Sequence, residues 1–174
     1  DAGTTISTTT TYYVTQTIGT CVSPATPVTI TVNAIPAAPN ATSPAPYCQG
    51  DVIAAITATG NVGATFTWYS DAALTTIINN TASYTPSASG VFYVTQTLNG
   101  CPSVATPVDV VINPLPNAAI LGNSLVCTDA GAITTLTATG GTSYLWNTGE
   151  TDAAVDKGAG TYTVTVTAAN GCTK

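Results

Sequence analysis

Histidine and arginine are missing from this chain of 174 residues, and lysine occurs only at Lys157 and Lys174. Without histidine, Ser-His-Asp and Cys-His machinery has no base to activate a nucleophile. Two cations cannot neutralise a run of phosphates, so nucleic acid is not an expected partner. The same shortage argues against docking on an anionic membrane surface. Glycosidase chemistry needs two facing carboxylates. The eight acids, Asp1, Asp51, Asp71, Asp109, Asp129, Glu150, Asp152 and Asp156, fall mostly in expected turns and leave a net charge of −6. There is no glycine-rich phosphate loop. We therefore expect no catalytic residue, no cofactor and no enzyme. No apolar run approaches the ~20 residues that span a bilayer, so direct membrane insertion is not expected. The first residues, Asp-Ala-Gly, have neither the basic nor the apolar region of a signal peptide. Solubility must come from threonine, serine and asparagine.

The chain does contain a repeat. Tyr12 to Pro36 reads YYVTQTIGTCVSPATPVTITVNAIP, and Phe92 to Pro116 reads FYVTQTLNGCPSVATPVDVVINPLP. The two align without a gap, Tyr12 on Phe92. Self-similarity at that spacing in a Thr/Val-rich chain points to tandem β domains. Residues 1–36 read as the C-terminal strands of one repeat, 37–116 as a complete repeat, and 117–174 as a repeat lacking its last strand. On this reading the chain is a window on a longer one and begins in mid-domain.

Period-two runs recur, as in Val28-Thr-Ile-Thr-Val32 and Tyr162-Thr-Val-Thr-Val-Thr167, and each reads as a half-buried strand with threonine facing water. No amphipathic helix is apparent. In the central repeat, strands are expected near 52–59, 65–70, 75–79, 82–86, 91–98 and 106–112, with a short one before Cys48. The third repeat should place strands over 133–139, 144–146 and 160–167. Asn99-Gly100 suits a tight hairpin turn with positive φ. The expected fold class is an all-β rod of tandem β-sandwiches, which the resemblance given below makes Ig-like. Trp68, Trp146, Tyr93 and Tyr162 are the expected core aromatics; a large aromatic in a sandwich strand is usually buried rather than a sugar-stacking platform. The linkers, 33–39 and 113–117, carry prolines and should be stiff.

The repeat sorts the five cysteines into two classes. Cys21, Cys101 and Cys172 follow a hairpin turn; Cys48 and Cys127 precede the second strand. One of each class per domain gives Cys48–Cys101 and Cys127–Cys172, with Cys21 pairing to a cysteine upstream of residue 1. Zinc ligation lacks both histidine and a Cys-x-x-Cys spacing. Disulfides imply an oxidising compartment. Calcium is the one metal to weigh, with Glu150, Asp152 and Asp156 as clustered candidates, yet no Asp-x-Asp-x-Asp-Gly loop is present. Asn40-Ala-Thr42 and Asn79-Asn-Thr81 match the glycosylation triplet.

Cys48-Gln-Gly-Asp, Trp68-Tyr69, Phe92-Tyr-Val-Thr-Gln-Thr-Leu-Asn-Gly-Cys101 and Val108-Asp-Val-Val-Ile-Asn-Pro-Leu-Pro116 resemble the Ig-like repeats of very large Bacteroidetes surface proteins. Leu136-Thr-Ala-Thr-Gly-Gly, Tyr144-Leu-Trp-Asn-Thr-Gly-Glu-Thr151 and Gly160 to Cys172 resemble the related PKD-like repeats of the same proteins. The resemblance implies type IX secretion and display at the bacterial cell surface, associated with the outer membrane, in gliding and adhesion proteins among others. It implies no catalytic residues. The expected function is a stalk segment of a giant adhesin, projecting a tip and bearing load. Its partners would be neighbouring repeats of the same chain, with surface glycans or other cell-surface proteins as further candidates. The alternatives are a spacer in a secreted multidomain enzyme and a subunit of an extracellular filament.

Overall fold

A computed structural model describes residues 7–125 and 131–174, and Cys127 and Asp129 lie outside the described residues. Among the described residues all regular structure is β, in nineteen strands without a helix. No described helix is therefore long and apolar enough to cross a membrane. The chain forms two compact units. The first comprises Asp1–Ser43, Ala55–Thr85 and Gly90–Asp109; the second comprises Pro44–Ala54, Pro86–Ser89 and Val110–Lys174.

In the first unit one sheet runs in the order Cys101–Pro102, Gly90–Leu98, Thr65–Tyr69, Ile77–Asn79, with Thr106–Val110 also paired to Gly90–Leu98. A second sheet runs Ser83–Tyr84, Ile56–Thr59, Asn40–Ala41. The strand Ile56–Thr59 shows the period-two rule directly: Ile56 and Ala58 are buried, Thr57 and Thr59 exposed. Trp68 stands opposite Val94 in the antiparallel register and both are fully buried with Val108. The Trp68 indole donates to Thr81 O at 3.1 Å and its ring packs against Tyr84. Asn99 and Gly100 have φ of 51° and 79°, the positive pair a two-residue turn requires.

Several expected features move. The strand expected from residue 52 starts at Ile56, and Val52 is exposed. Tyr93 is half-buried rather than core; its neighbour Val94 faces Trp68 instead. Thr95, expected to face water as the threonines of such a run do, is buried, and so is its neighbour Gln96. Their strand is flanked on both sides by paired strands, and the Gln96 side chain is roofed by the Gly60-Asn61 turn.

The first unit also contains the ribbon Thr10–Val14 with Thr26–Ile30. Val14, Val28 and Ile30 are 58%, 51% and 42% exposed, whereas the aligned Val94, Val108 and Val110 are at 0%. The same pattern is thus core in one copy and surface in the other.

In the second unit a sheet runs Ala119–Leu121, Thr134–Thr139, Ala154–Lys157, and Ser143–Trp146 pairs with Val164–Thr167. Ala138, Trp146 and Val155 form the buried core, with Leu136, Tyr144, Tyr162 and Val164 packed around it. The expected strand over 160–167 is regular only from Val164. Tyr162 is half-buried against the core, and its hydroxyl donates to Gly158 O at 3.3 Å.

The disulfide is the main correction. Cys48 bonds to Cys172, not to Cys101, and Cys172 is therefore not available to Cys127. Cys101 and Cys21 are free thiols. The cause lies in strand pairing. Tyr47–Cys48 runs parallel to Ile112–Asn113, with Cys48 in register with Asn113. That pairing, reinforced by hydrogen bonds from Tyr47 N to Val111 O and from Gln49 N to Asn113 O, draws residues 44–54 into the second unit, where Cys172 lies.

Candidate functional site

Around Cys48 a disulfide and a doubly closed turn come together. The turn Cys48-Gln-Gly-Asp51 is closed twice: Asp51 N donates to Cys48 O at 3.0 Å, and Asp51 Oδ2 accepts from Cys48 N at 2.7 Å. Gly50, at φ 97°, supplies the positive φ the third turn residue needs. Asp51 therefore locks the turn. The turn presents Cys48 to Cys172 with Cα atoms 5.6 Å apart. Cys172 follows its own Gly171 turn, where Cys172 N donates to Asn170 Oδ1 and the Asn170 amide donates to Pro114 O.

Within the first unit, Cys101 also follows an Asn-Gly turn and sits against a linker residue. Its Sγ donates to Asn33 O at 3.7 Å, and Asn33 Nδ2 donates to Asn99 O at 2.9 Å. Cys21, in the ribbon, is exposed.

A second buried polar centre surrounds Gln96. Its Oε1 accepts from Asn61 N at 2.8 Å; its Nε2 donates to Ala37 O at 2.7 Å and to Asn61 Oδ1 at 3.0 Å. Its backbone N donates to Ser103 Oγ, and Ser103 N returns a bond to Gln96 O. Gln16 and Ser23 make the same two bonds in the first copy. This network satisfies every polar group of the buried amide, as burial demands. Sequence reasoning passed over it, although the Gln-x6-Ser spacing occurring in both copies was a usable signal. A side chain at Gly60 would collide with the Gln96 Oε1. Gly60→Ala should therefore cost about 1–3 kcal/mol by breaking the amide's bonds. Urea melts of Gly60→Ala, Gln96→Ala and the double variant check this, since the glycine change should cost much less once Gln96 is gone.

The calcium candidates do not come together as a ligand set. Glu150 forms an ion pair with the buried Lys157, whose ammonium also donates to Thr148 Oγ1 at 2.9 Å and lies 5.4 Å from the Tyr162 ring centroid. Asp156 accepts from Thr135 Oγ1 at 2.6 Å on the opposite face of its strand. The Asp152 backbone, not its carboxyl, is engaged, accepting the Trp146 indole at 2.9 Å. Among the described residues no three acids, cysteines or histidines are grouped to hold a metal.

The Lys157 and Thr148 hydrogen bonds hold the Glu150 carboxyl down from 4.5 to about 2. A carboxyl depressed on folding contributes stability above its unfolded value, and that contribution fades as pH falls through the folded value. The second unit should weaken between about pH 5 and pH 2, and Glu150→Gln should flatten that slope. Asp71, lowered by backbone N–H bonds from Thr75 and Thr76, acts in the same direction on the first unit. Acid titration of chemical stability, followed by Trp146 fluorescence in a Trp68→Phe background, isolates the Glu150 contribution.

A concavity of about 420 Å³ in the second unit is lined by Asn123, Ser124, Leu136, Gly158 and Tyr162 among others. Among the described residues none of its lining side chains is charged.

The two-sheet β architecture with a tryptophan between the sheets is that of an Ig-like β-sandwich. Residues 36–114 match the family described as Ig-like domain, CHU_C associated, so the chain carries an Ig-like domain over that span. A comparison with curated proteins finds no match.

Proposed function

We propose that this chain is a stalk segment of a giant secreted adhesin of the bacterial cell surface, exported by type IX secretion in a Bacteroidetes cell. The observation that carries this reading is the copied element: Gln16/Ser23 and Gln96/Ser103 make the same bonds in segments that align residue for residue around the Ig-like match. On this reading residues 1–36 are the closing strands of one repeat, 37–116 a complete repeat and 117–174 the front of the next. The exposed Val14, Val28 and Ile30 are then core positions of a sandwich whose other strands precede residue 1. The role is mechanical, projecting a tip and resisting load and proteases, without catalysis. Two lysines and no arginine give trypsin-like proteases almost nothing to cut. Neighbouring repeats are the partners along the rod, and glycans or surface proteins are met at the tip.

The test is the mass of the native polypeptide on a reducing, denaturing gel, detected with an antibody to residues 37–116. A band of hundreds of kilodaltons is expected. A band near 17.3 kDa would overturn the stalk and favour a filament subunit.

A further inference from the structure

We infer that the Cys48–Cys172 bond is a staple between successive repeats, and that Cys101 is the receiving thiol of the preceding staple in the series. Its partner is a cysteine of the Cys48 type in the repeat before it, in the same polypeptide. The inference uses the reading that like repeats precede this one.

The observed bond joins the cysteine before the second strand of one sequence repeat to the cysteine after the Asn-Gly turn of the next, 124 residues later. Four contacts set it up. Asn113, in the linker, is in register with Cys48 and accepts from Gln49 N; Pro114, beside it, accepts from Asn170; and Asn170 holds Cys172 N. The same linker and the same turn meet again in the first unit. Asn33 aligns with Asn113 and lies against Asn99 and Cys101, the counterparts of Asn170 and Cys172. Cys101 thus lies in an Asn-Gly turn bonded to the linker before it, as Cys172 lies in an Asn-Gly turn bonded through Asn170 to the linker residue Pro114. It is half-buried, it is a free thiol, and the residue that would face it is the counterpart of Cys48 one repeat upstream. Cys21, the hairpin cysteine of the first copy, falls under the same rule.

Closing each staple is ordinary thiol–disulfide exchange. One cysteine thiolate attacks the disulfide of an oxidised dithiol donor, breaking its S–S bond and giving a mixed disulfide. The second cysteine thiolate then displaces the donor, which leaves as a dithiol carrying the two electrons, while the two cysteines give up two protons.

The staple carries load. A chain pulled from its ends transmits force through the bond, and residues 49–171 stay inside the closed loop. The reduced chain should therefore extend about 400 Å further than the oxidised one, at ~3.3–3.6 Å per residue.

The test is disulfide mapping of the native polypeptide. It is blocked with N-ethylmaleimide, digested with thermolysin without reductant and read by mass spectrometry. The expected map links Cys48 to Cys172, and Cys101 to a cysteine peptide of the preceding repeat. A Cys48–Cys101 peptide, a maleimide-blocked Cys101, or any other Cys101 partner overturns the inference. In the isolated 174-residue chain, maleimide should label Cys101 and Cys21 and spare Cys48; labelling of Cys48 overturns it there. A short native polypeptide on the gel would instead sink the stalk reading, so the two failures are distinguishable.

Discussion

Cys48→Ala or Cys172→Ala should lower the stability of the chain to global unfolding by about 5 kcal/mol, and Cys101→Ala should leave it almost unchanged. The bond closes a loop over 124 residues of sequence separation. In the chain-entropy treatment a loop of that length removes about 16 cal/mol/K from the unfolded ensemble, or about 5 kcal/mol at room temperature. That is comparable to the entire stability of a small domain. Cys101 closes no loop in this chain, and its half-buried thiol makes one weak contact to Asn33 O. Guanidinium unfolding of the three variants, with and without reductant, separates the cases. Reductant should shift the parent and the Cys101 variant alike and leave the Cys48 and Cys172 variants where they are. A large loss in the Cys101 variant would mean that it, rather than Cys172, carries the structural bond.

The contrast shows what a repeat can and cannot reveal. Aligning the two copies sorted the cysteines into a hairpin class and a pre-strand class, and the structure pairs one member of each class. Class membership is equally satisfied within a repeat or across the junction. The choice is made by the parallel pairing of Tyr47–Cys48 with Ile112–Asn113, a contact between residues about 65 apart with no local signature. Trp68 and Trp146 were legible because a large aromatic in an alternating run has few places to go but inward. Asn99-Gly100 was legible because its conformation is local. Gln96 was not, because its burial depends on Gly60 and Asn61, which come from a different sheet edge. The acids after Trp146 looked like a cluster in sequence. The alternation of the strand Ala154–Lys157 instead turns Asp156 outward and Lys157 inward, where it takes Glu150 as its partner.

Trp68→Ala should unfold the first unit under conditions where the parent is native. Trp68 is completely buried opposite Val94, and its indole nitrogen satisfies Thr81 O. Removing the ring costs about 3–5 kcal/mol in lost burial and residual cavity, while the carbonyl of the exposed Thr81 can turn to water. A sandwich of this size has only about 5–15 kcal/mol to lose. With a urea slope of roughly 1–3 kcal/mol/M, the midpoint should fall by about 1 M or more. Trp68→Phe keeps an aromatic ring while losing the N–H donor, so its smaller shift measures the hydrogen bond together with the size change. Val62→Ala, at a residue 99% exposed, should move the midpoint hardly at all. The remaining tryptophan, Trp146, sits in the core of the second unit and reports on it by fluorescence. Circular dichroism should then show an early loss of β signal while Trp146 emission stays native. If Trp68→Ala melts together with the Val62 control, the ring is not the plug between the sheets. If Trp146 emission is lost at the same low urea as the β signal, the two units fold as one cooperative body.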